Sequence, residues 1–188
     1  MASAASASSS REAGFSLVEV IFAIFLLTAV AVGVAQLFAV GTLANFRAKT
    51  QTSTTVLAAQ KMEQLRGLTW AFDAEGLPVS DVSSRLDTPV PTGGGPGLNP
   101  SPPTSLAENL PGYVDFLDLH GAYLGTDTGP TAAYCRRWSV QPQPTNPNNT
   151  LILQVRVIPI NQVAGADQTG QRALEEALLF SVKTRKAP

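Results

Sequence analysis

The sequence predicts an α+β fold in which a long N-terminal helix packs on a small antiparallel β-sheet. Three observations lead to this prediction. No charged residue occurs between Glu19 and Arg47, so the beginning of the helix is apolar enough to span a membrane. Apolar residues then recur at three- and four-residue steps from Leu57 to Leu68. Several segments after Ala133 alternate apolar and polar residues, as strands with one buried face do.

The uncharged segment covers residues 20–46. At about 1.5 Å per helical residue it extends roughly 40 Å, whereas the hydrocarbon core of a bilayer is ~30 Å thick. We therefore predict a membrane-spanning helix. Glu19 stands at its beginning, where a carboxylate is costly unless a cation pairs with it.

The hexapeptide GFSLVE, Gly14 to Glu19, resembles the processing site of type IV prepilins and type II secretion pseudopilins. The resemblance implies that a prepilin peptidase cuts after Gly14 and that the new N-terminus, Phe15, is N-methylated. It also implies that Glu19 is the family glutamate. A free ammonium at Phe15 and the Glu19 carboxylate of a neighbouring subunit are opposite charges in a poorly solvating medium, so we expect them to pair during assembly.

The proposed leader, residues 1–14, is rich in Ala and Ser. It differs from an ordinary secretory signal because the apolar segment follows the cut instead of preceding it. The apolar helix should therefore remain in the mature protein. Basic residues flank the segment on both sides and favour neither orientation, so the processing motif alone places the N-terminus in the cytoplasm and the remaining domain outside.

The second half of the helix, residues 47–70, is predicted to be amphipathic and to leave the membrane with one face against a domain. Gly67 is a plausible stop, and the segment from Lys61 to Arg66 resembles the end of the first helix of minor pilins and pseudopilins. The stripe that should contact the domain consists of Leu57, Ala58, Lys61, Met62, Leu65 and Leu68.

Residues 71–112 are rich in Pro and Gly, which excludes a helix or a central strand and predicts a long, mobile surface connection. A β domain follows over residues 113–188. Its first segment, Tyr113–Leu119, is either a short strand or a lid. The division is thus a leader at 1–14, a membrane and filament-core segment at 15–46, an amphipathic segment at 47–70, a loop at 71–112 and a β domain at 113–188.

Three strands are expected to form an antiparallel meander: Tyr134–Val140, Leu151–Ile160 and Leu174–Lys183, with a polar turn at residues 161–172. Leu151, Leu153, Val155 and Val157 should form the core face, and Leu178, Phe180 and Val182 share one face of the last strand. The apolar face of this sheet needs a cover, and the helix stripe is available. The resemblance implies the same arrangement, the pilin-like fold.

Catalysis, cofactors and metals are not expected. His120 is the only histidine, and no nucleophile motif is present. Cys135 is the only cysteine, so an internal disulfide is impossible, and we predict a half-buried strand residue. Arg136, Arg137 and Trp138 form either a DNA-contacting patch or, as we prefer, a strand-edge packing cluster. The formal net charge of −1 makes nucleic acid an improbable partner.

The resemblance predicts a structural subunit of a type IV pilus-like filament, most similar to a minor pilin. Its partners would be other subunits, the prepilin peptidase and methylase, an inner-membrane assembly platform and lipid. It would reside in the bacterial inner membrane before entering a filament at the cell surface or in the periplasm. Three alternatives stay open: a type II secretion pseudopilin, a DNA-uptake pilin and an uncleaved, singly anchored binding domain.

Overall fold

A computed structural model describes residues 14–90 and 93–186, so the first 13 residues of the predicted leader lie outside the described part. The chain divides into two units between Asn45 and Phe46. Helix α1, Leu17–Gly67, supplies the regular structure of the described part of the first unit and continues into the second. It contains no proline, and it ends at Gly67, where the sequence predicted a stop.

The two threonine hydroxyls within the apolar half of α1 find hydrogen-bond partners in the helix itself. The hydroxyl of Thr28 donates to the carbonyl of Ile24 at 2.9 Å, and that of Thr42 donates to the carbonyl of Phe38 at 2.9 Å. Water is absent from a bilayer core, so each polar group there requires an internal partner. These bonds make the threonines compatible with a membrane-spanning segment.

The second unit contains two antiparallel sheets. Strands β1 (Trp70–Phe72) and β2 (Pro78–Ser80) pair with each other. The larger sheet has the order β4-β3-β5-β6-β7, and every neighbouring pair is antiparallel. Its strands are β3 (Val114–Leu117), β4 (Tyr123–Gly125), β5 (Tyr134–Pro142), β6 (Thr150–Pro159) and β7 (Ala177–Thr184). The predicted α+β class and the β5-β6-β7 meander are confirmed.

The core lies between the second half of α1 and one face of the larger sheet. All six residues of the predicted helix stripe are buried, from Leu57 to Leu68. The sheet contributes Trp138, Leu153 and Val155, each 0% exposed, and this face of β6 is the one predicted from alternation. Burying one such side chain is worth about 1.5–3 kcal/mol, so this contact is a main source of the domain's stability.

The Pro/Gly-rich segment differs from the predicted surface connection. It contains β2 and the last two residues of β1, and both Leu86 and Leu98 are buried in the core. The N–H of Ser101 donates to the carbonyl of Val140 at 2.9 Å, which ties the segment to β5. Proline prevents a regular ladder, but it does not prevent apolar side chains between prolines from packing. Residues 91–92 lie outside the described part.

Two further segments differ from expectation. The predicted polar turn at residues 161–172 contains helix α2, Ile160–Thr169, which ends at Gly170 in the left-handed conformation with φ of 65°. On β7, Phe180 and Val182 share a face as predicted, but they are 62% and 63% exposed. Their register neighbours on β6, Gln154 and Ile152, alternate with the core residues, so this face points away from α1.

The C-terminal end of the described chain closes the smaller sheet. The N–H of Phe72 donates to the carbonyl of Lys186 at 2.9 Å, and the N–H of Lys186 donates to the carbonyl of Trp70 at 3.0 Å. The guanidinium carbon of Arg185 lies 3.7 Å from the centre of the Trp70 ring, a cation–π contact. Strand β1 is thus held in place by residues that follow β7, the last strand of the chain.

Candidate functional site

The predicted processing segment lies just before α1. Gly14, Phe15 and Ser16 are outside any helix or strand, and Phe15 is 80% exposed. The carbonyl of Ser16 accepts the first helical hydrogen bond, from the N–H of Val20 at 3.2 Å. Exposed backbone at an element's end is the kind of site that peptidases cut. The peptide bond after Gly14 is therefore sterically open to cleavage.

Glu19 stands in the first turn of α1 and is exposed. The first N–H groups of a helix lack internal partners, so a carboxylate in this turn is favoured by the helix dipole. Among the described residues, no cation forms an ion pair with Glu19. Its charge is available to a group that another molecule supplies.

Phe15 and the large apolar side chains of α1 from Leu17 to Phe46 are exposed. In the described residues, α1 is the one helix that is long and apolar enough to cross a membrane. A continuous apolar surface of this length is unstable in water and has to be covered by lipid or by other apolar helices. The arrangement is consistent with a single-pass membrane anchor.

A buried charge cluster joins the second half of α1 to the larger sheet. The Nζ atom of Lys61 lies 2.9 Å from Oδ2 of Asp115 on β3, and both side chains are 1% exposed. Lys61 also donates to the carbonyl of Leu86, and its Nζ lies 4.2 Å from the centre of the Trp138 ring. This one side chain thus contacts the loop segment, β3 and β5, which places α1 on the sheet.

Arg136 of β5 completes the cluster. Its Nε and Nη2 donate to the two carboxylate oxygens of Asp115, each at 2.8 Å, and its Nη1 donates to the carbonyl of Leu57 at 3.1 Å. Two buried cations therefore share one carboxylate. Burial lowers the pKa of Lys61 to about 8, although the neighbouring charge of Asp115 acts in the opposite direction.

A second ion pair covers the other face of β5. Arg137, 1% exposed, forms two hydrogen bonds with the Asp167 carboxylate of α2, at 2.7 and 2.8 Å. Burial raises the pKa of the Cys135 thiol to about 11, so this cysteine stays protonated and unreactive at neutral pH. Cys135 is completely buried instead of half-buried.

The prediction of a strand-edge cluster at Arg136, Arg137 and Trp138 was wrong in position. β5 is the central strand of its sheet, and all three side chains are buried. The same burial leaves no exposed arginine patch at these positions for a DNA strand. Sequence reasoning missed the partners Asp115 and Asp167, and the only available signal was a lysine within an apolar helical stripe.

Comparison with known proteins identifies the beginning of the chain. The prokaryotic N-terminal methylation motif matches residues 9–35, which include the described start of α1. Searches of curated proteins and of solved structures found no match to the chain.

The motif and the long N-terminal apolar helix together fit a type IV pilin-like protein. Proteins with this motif are substrates of a prepilin peptidase and assemble with other pilin subunits. The motif marks a structural class that is typically not enzymatic. A single-pass anchor in the inner membrane is consistent with both features.

Proposed function

We propose that the chain is a structural subunit of a type IV pilus-like filament, closest in type to a minor pilin. The observation that carries the proposal is the methylation motif, which leads directly into an exposed apolar helix. In this proposal the peptidase removes residues 1–14 and Phe15 is methylated. Residues 15–46 then remain inserted in the inner membrane until the subunit joins the filament, where they form part of its core.

Glu19 has the assembly role in this proposal. The new ammonium at Phe15 and the Glu19 carboxylate of a neighbouring subunit would each lose hydration as the helices pack. An ion pair between them offsets both desolvation costs. The exposed position of Glu19 in the first turn, without an ion-pair partner among the described side chains, supports such an intermolecular contact.

The outer segments have separate roles. We propose that residues 47–70 carry the exported domain on the helix, and that residues 71–112 and 113–188 form the surface that the filament presents to its surroundings. The buried, carboxylate-paired states of Arg136 and Arg137 weigh against the DNA-uptake alternative, which needed them exposed. A pseudopilin has the same processing chemistry as a minor pilin.

The intact mass and N-terminal sequence of the protein test the proposal. The full chain is expressed with a prepilin peptidase, as wild type, as Gly14→Ala and as the control Gly41→Ala. Gly41 is another α1 glycine, and an added Cβ there meets no atom within 4 Å. Wild type and the control should begin at N-methyl-Phe15, whereas Gly14→Ala should keep its full length. A wild-type chain that retains residues 1–14 beside active peptidase would instead support the uncleaved, anchored domain.

A further inference from the structure

A cavity of about 360 Å³ opens beside the buried charge cluster, within the second unit. This volume is in the range of small-molecule sites. It lies between the second half of α1, the segment that precedes β3, and the sheet. The side chains that give it its chemistry are Gln60, Gln64, Thr88, Leu117, Tyr123 and Arg136.

Arg136 provides the charge of this cavity. Of its five N–H groups, two bind Asp115, and Nη1 donates to the Leu57 carbonyl and to Oε1 of Gln60. One Nη2 hydrogen has no partner among the described residues. A hydrogen bond from a guanidinium N–H to an anionic oxygen is roughly twice as strong as one between neutral groups. This Nη2–H therefore favours an anionic ligand.

The charges around the cavity leave a positive excess. Lys61 and Arg136 share the carboxylate of Asp115 beside the cavity. Two cations are thus balanced by one carboxylate in this cluster. Among the described residues, no carboxylate lines the cavity itself. A single negative charge from a ligand would complete the balance.

The rest of the lining limits the ligand's size and polarity. Amide and hydroxyl groups of Gln60, Gln64 and Tyr123 are neutral hydrogen-bonding groups, whereas Leu117 and the tyrosine ring are apolar. Phosphate binding commonly uses several cations or a series of backbone N–H groups, whereas Arg136 is the one cation among the described residues that line this cavity. The lining therefore suits a ligand that has one carboxylate group and a short apolar portion.

We propose that this cavity binds a monocarboxylate with a short apolar body, either as a free small molecule or as the C-terminal carboxylate of a polypeptide. The ligand's oxygen would accept from the spare Nη2–H of Arg136, and its apolar part would contact Leu117 and Tyr123. The inference is independent of the filament role, because it concerns the charge and shape of the folded domain alone.

The test uses the ¹³C- and ¹⁵N-labelled full chain in non-ionic detergent and a carboxylate-free buffer. Butyrate is titrated in, with butyramide as the uncharged control. A short apolar peptide with a free C-terminus is compared with its C-terminal amide. Butyrate or the free-acid peptide should give saturable shifts of the Tyr123 and Arg136 side-chain signals and raise the pKa of Lys61, whereas both amides should not.

Matched variants locate the site. Gln60→Glu places a carboxylate beside Arg136 and should weaken binding by about tenfold or more, since one unfavourable charge contact of about 1.4 kcal/mol has that effect. Gln51→Glu, the same change at an exposed α1 position outside the cavity lining, should bind as wild type does.

Each result decides the proposal. Binding of butyrate assigns a free metabolite as the source, and binding of the free-acid peptide alone assigns a polypeptide terminus. The proposal is overturned if neither carboxylate gives saturable shifts, if the amides bind equally well, or if Gln60→Glu binds as tightly as Gln51→Glu.

Discussion

At the scale of single residues, the cluster of Lys61, Asp115 and Arg136 has unequal members. Asp115 is the one carboxylate between two cations, whereas Arg136 retains both of its bonds to Asp115 if Lys61 becomes neutral. Removing the Asp115 charge would leave two buried cations without a counter-charge, whereas removing the Lys61 charge would leave a complete ion pair. The first change should therefore lower the free energy of unfolding far more than the second. The three residues should therefore respond differently to neutralisation.

Asp115→Asn should destabilise the domain strongly, by about 3–5 kcal/mol, because Lys61 and Arg136 would remain buried without a counter-charge. Lys61→Met retains the apolar stem and the Asp115–Arg136 pair, so its cost should stay within about 1–2 kcal/mol, from the carbonyl of Leu86 that loses its donor. Denaturant unfolding of the full chain in detergent measures both changes.

Asp127→Asn is the matched control for that series, since Asp127 is exposed and should change stability by about 0.5 kcal/mol or less. An equal loss from Asp115→Asn and Lys61→Met would contradict the account of an unequal cluster.

Lys61 also predicts a pH dependence. Its pKa is about 8 in the folded domain and 10.5 without burial, so between these values the unfolded chain binds more protons. This group's contribution to the free energy of unfolding therefore rises with pH across that window, and falls as pH drops through the folded pKa. Wild type should gain about 2 kcal/mol relative to Lys61→Met between pH 7 and pH 10, measured by parallel unfolding curves. A constant difference would mean that Lys61 titrates normally.

At the scale of elements, the turn after β3 is fitted against α1. Gly121 has φ of 81°, and a Cβ there would meet Cδ2 of Leu57 at 2.8 Å. Two separate costs therefore act on any larger residue. One is the left-handed backbone, and the other is the contact with the helix stripe.

Substitutions by alanine separate these two costs. Gly121→Ala should lose about 1–3 kcal/mol, from the left-handed backbone together with the smaller cost of displacing one methyl group of Leu57. Gly76→Ala, with φ of 78° and open space, should lose about 1–2 kcal/mol. Gly129→Ala, which has neither feature, should change little. Thermal unfolding followed by circular dichroism gives the order of stability of the three variants. Equal losses of stability at Gly121 and Gly76 would show that the contact with Leu57 contributes nothing.

The elements also show what the sequence could predict. Period-3.6 and period-2 patterns gave α1, its buried stripe and the β5–β7 meander, because burial on one face imposes those periods. Helix α2 has only a short apolar side, because Ala166 is its one buried residue and Ile160 and Val163 are half-buried. The sequence pattern therefore predicted a turn at this position. The burial of Leu86 and Leu98 depends on contacts distant in sequence, and so does the pairing of Lys61 with Asp115. Such contacts leave no periodic pattern in the neighbouring sequence, so they could not be predicted from it.

At the scale of the whole molecule, two features predict a requirement for other subunits: the exposed apolar half of α1, and Glu19, which has no ion-pair partner among the described residues. Glu19→Gln removes the charge but leaves the cut after Gly14 open. We expect normal processing and membrane insertion, with incorporation into filaments reduced at least about tenfold, as loss of one buried ion pair implies. Sheared filaments and membranes, probed separately by immunoblot, measure the ratio.

Glu63→Gln is the control for the assembly prediction. Glu63 is exposed on the same helix and forms only a surface pair with Arg66 at 3.0 Å, which contributes little. Filaments that accept Glu19→Gln as readily as Glu63→Gln would show that Glu19 has no part in assembly.

The contact of β1 with Lys186 and Arg185 has a consequence for the order of biogenesis. Trp70 and Phe72 leave the ribosome long before their partners exist, so β1 cannot be completed while the chain is being made. The smaller sheet therefore reaches its final set of hydrogen bonds only after nearly all of the described chain has been synthesised.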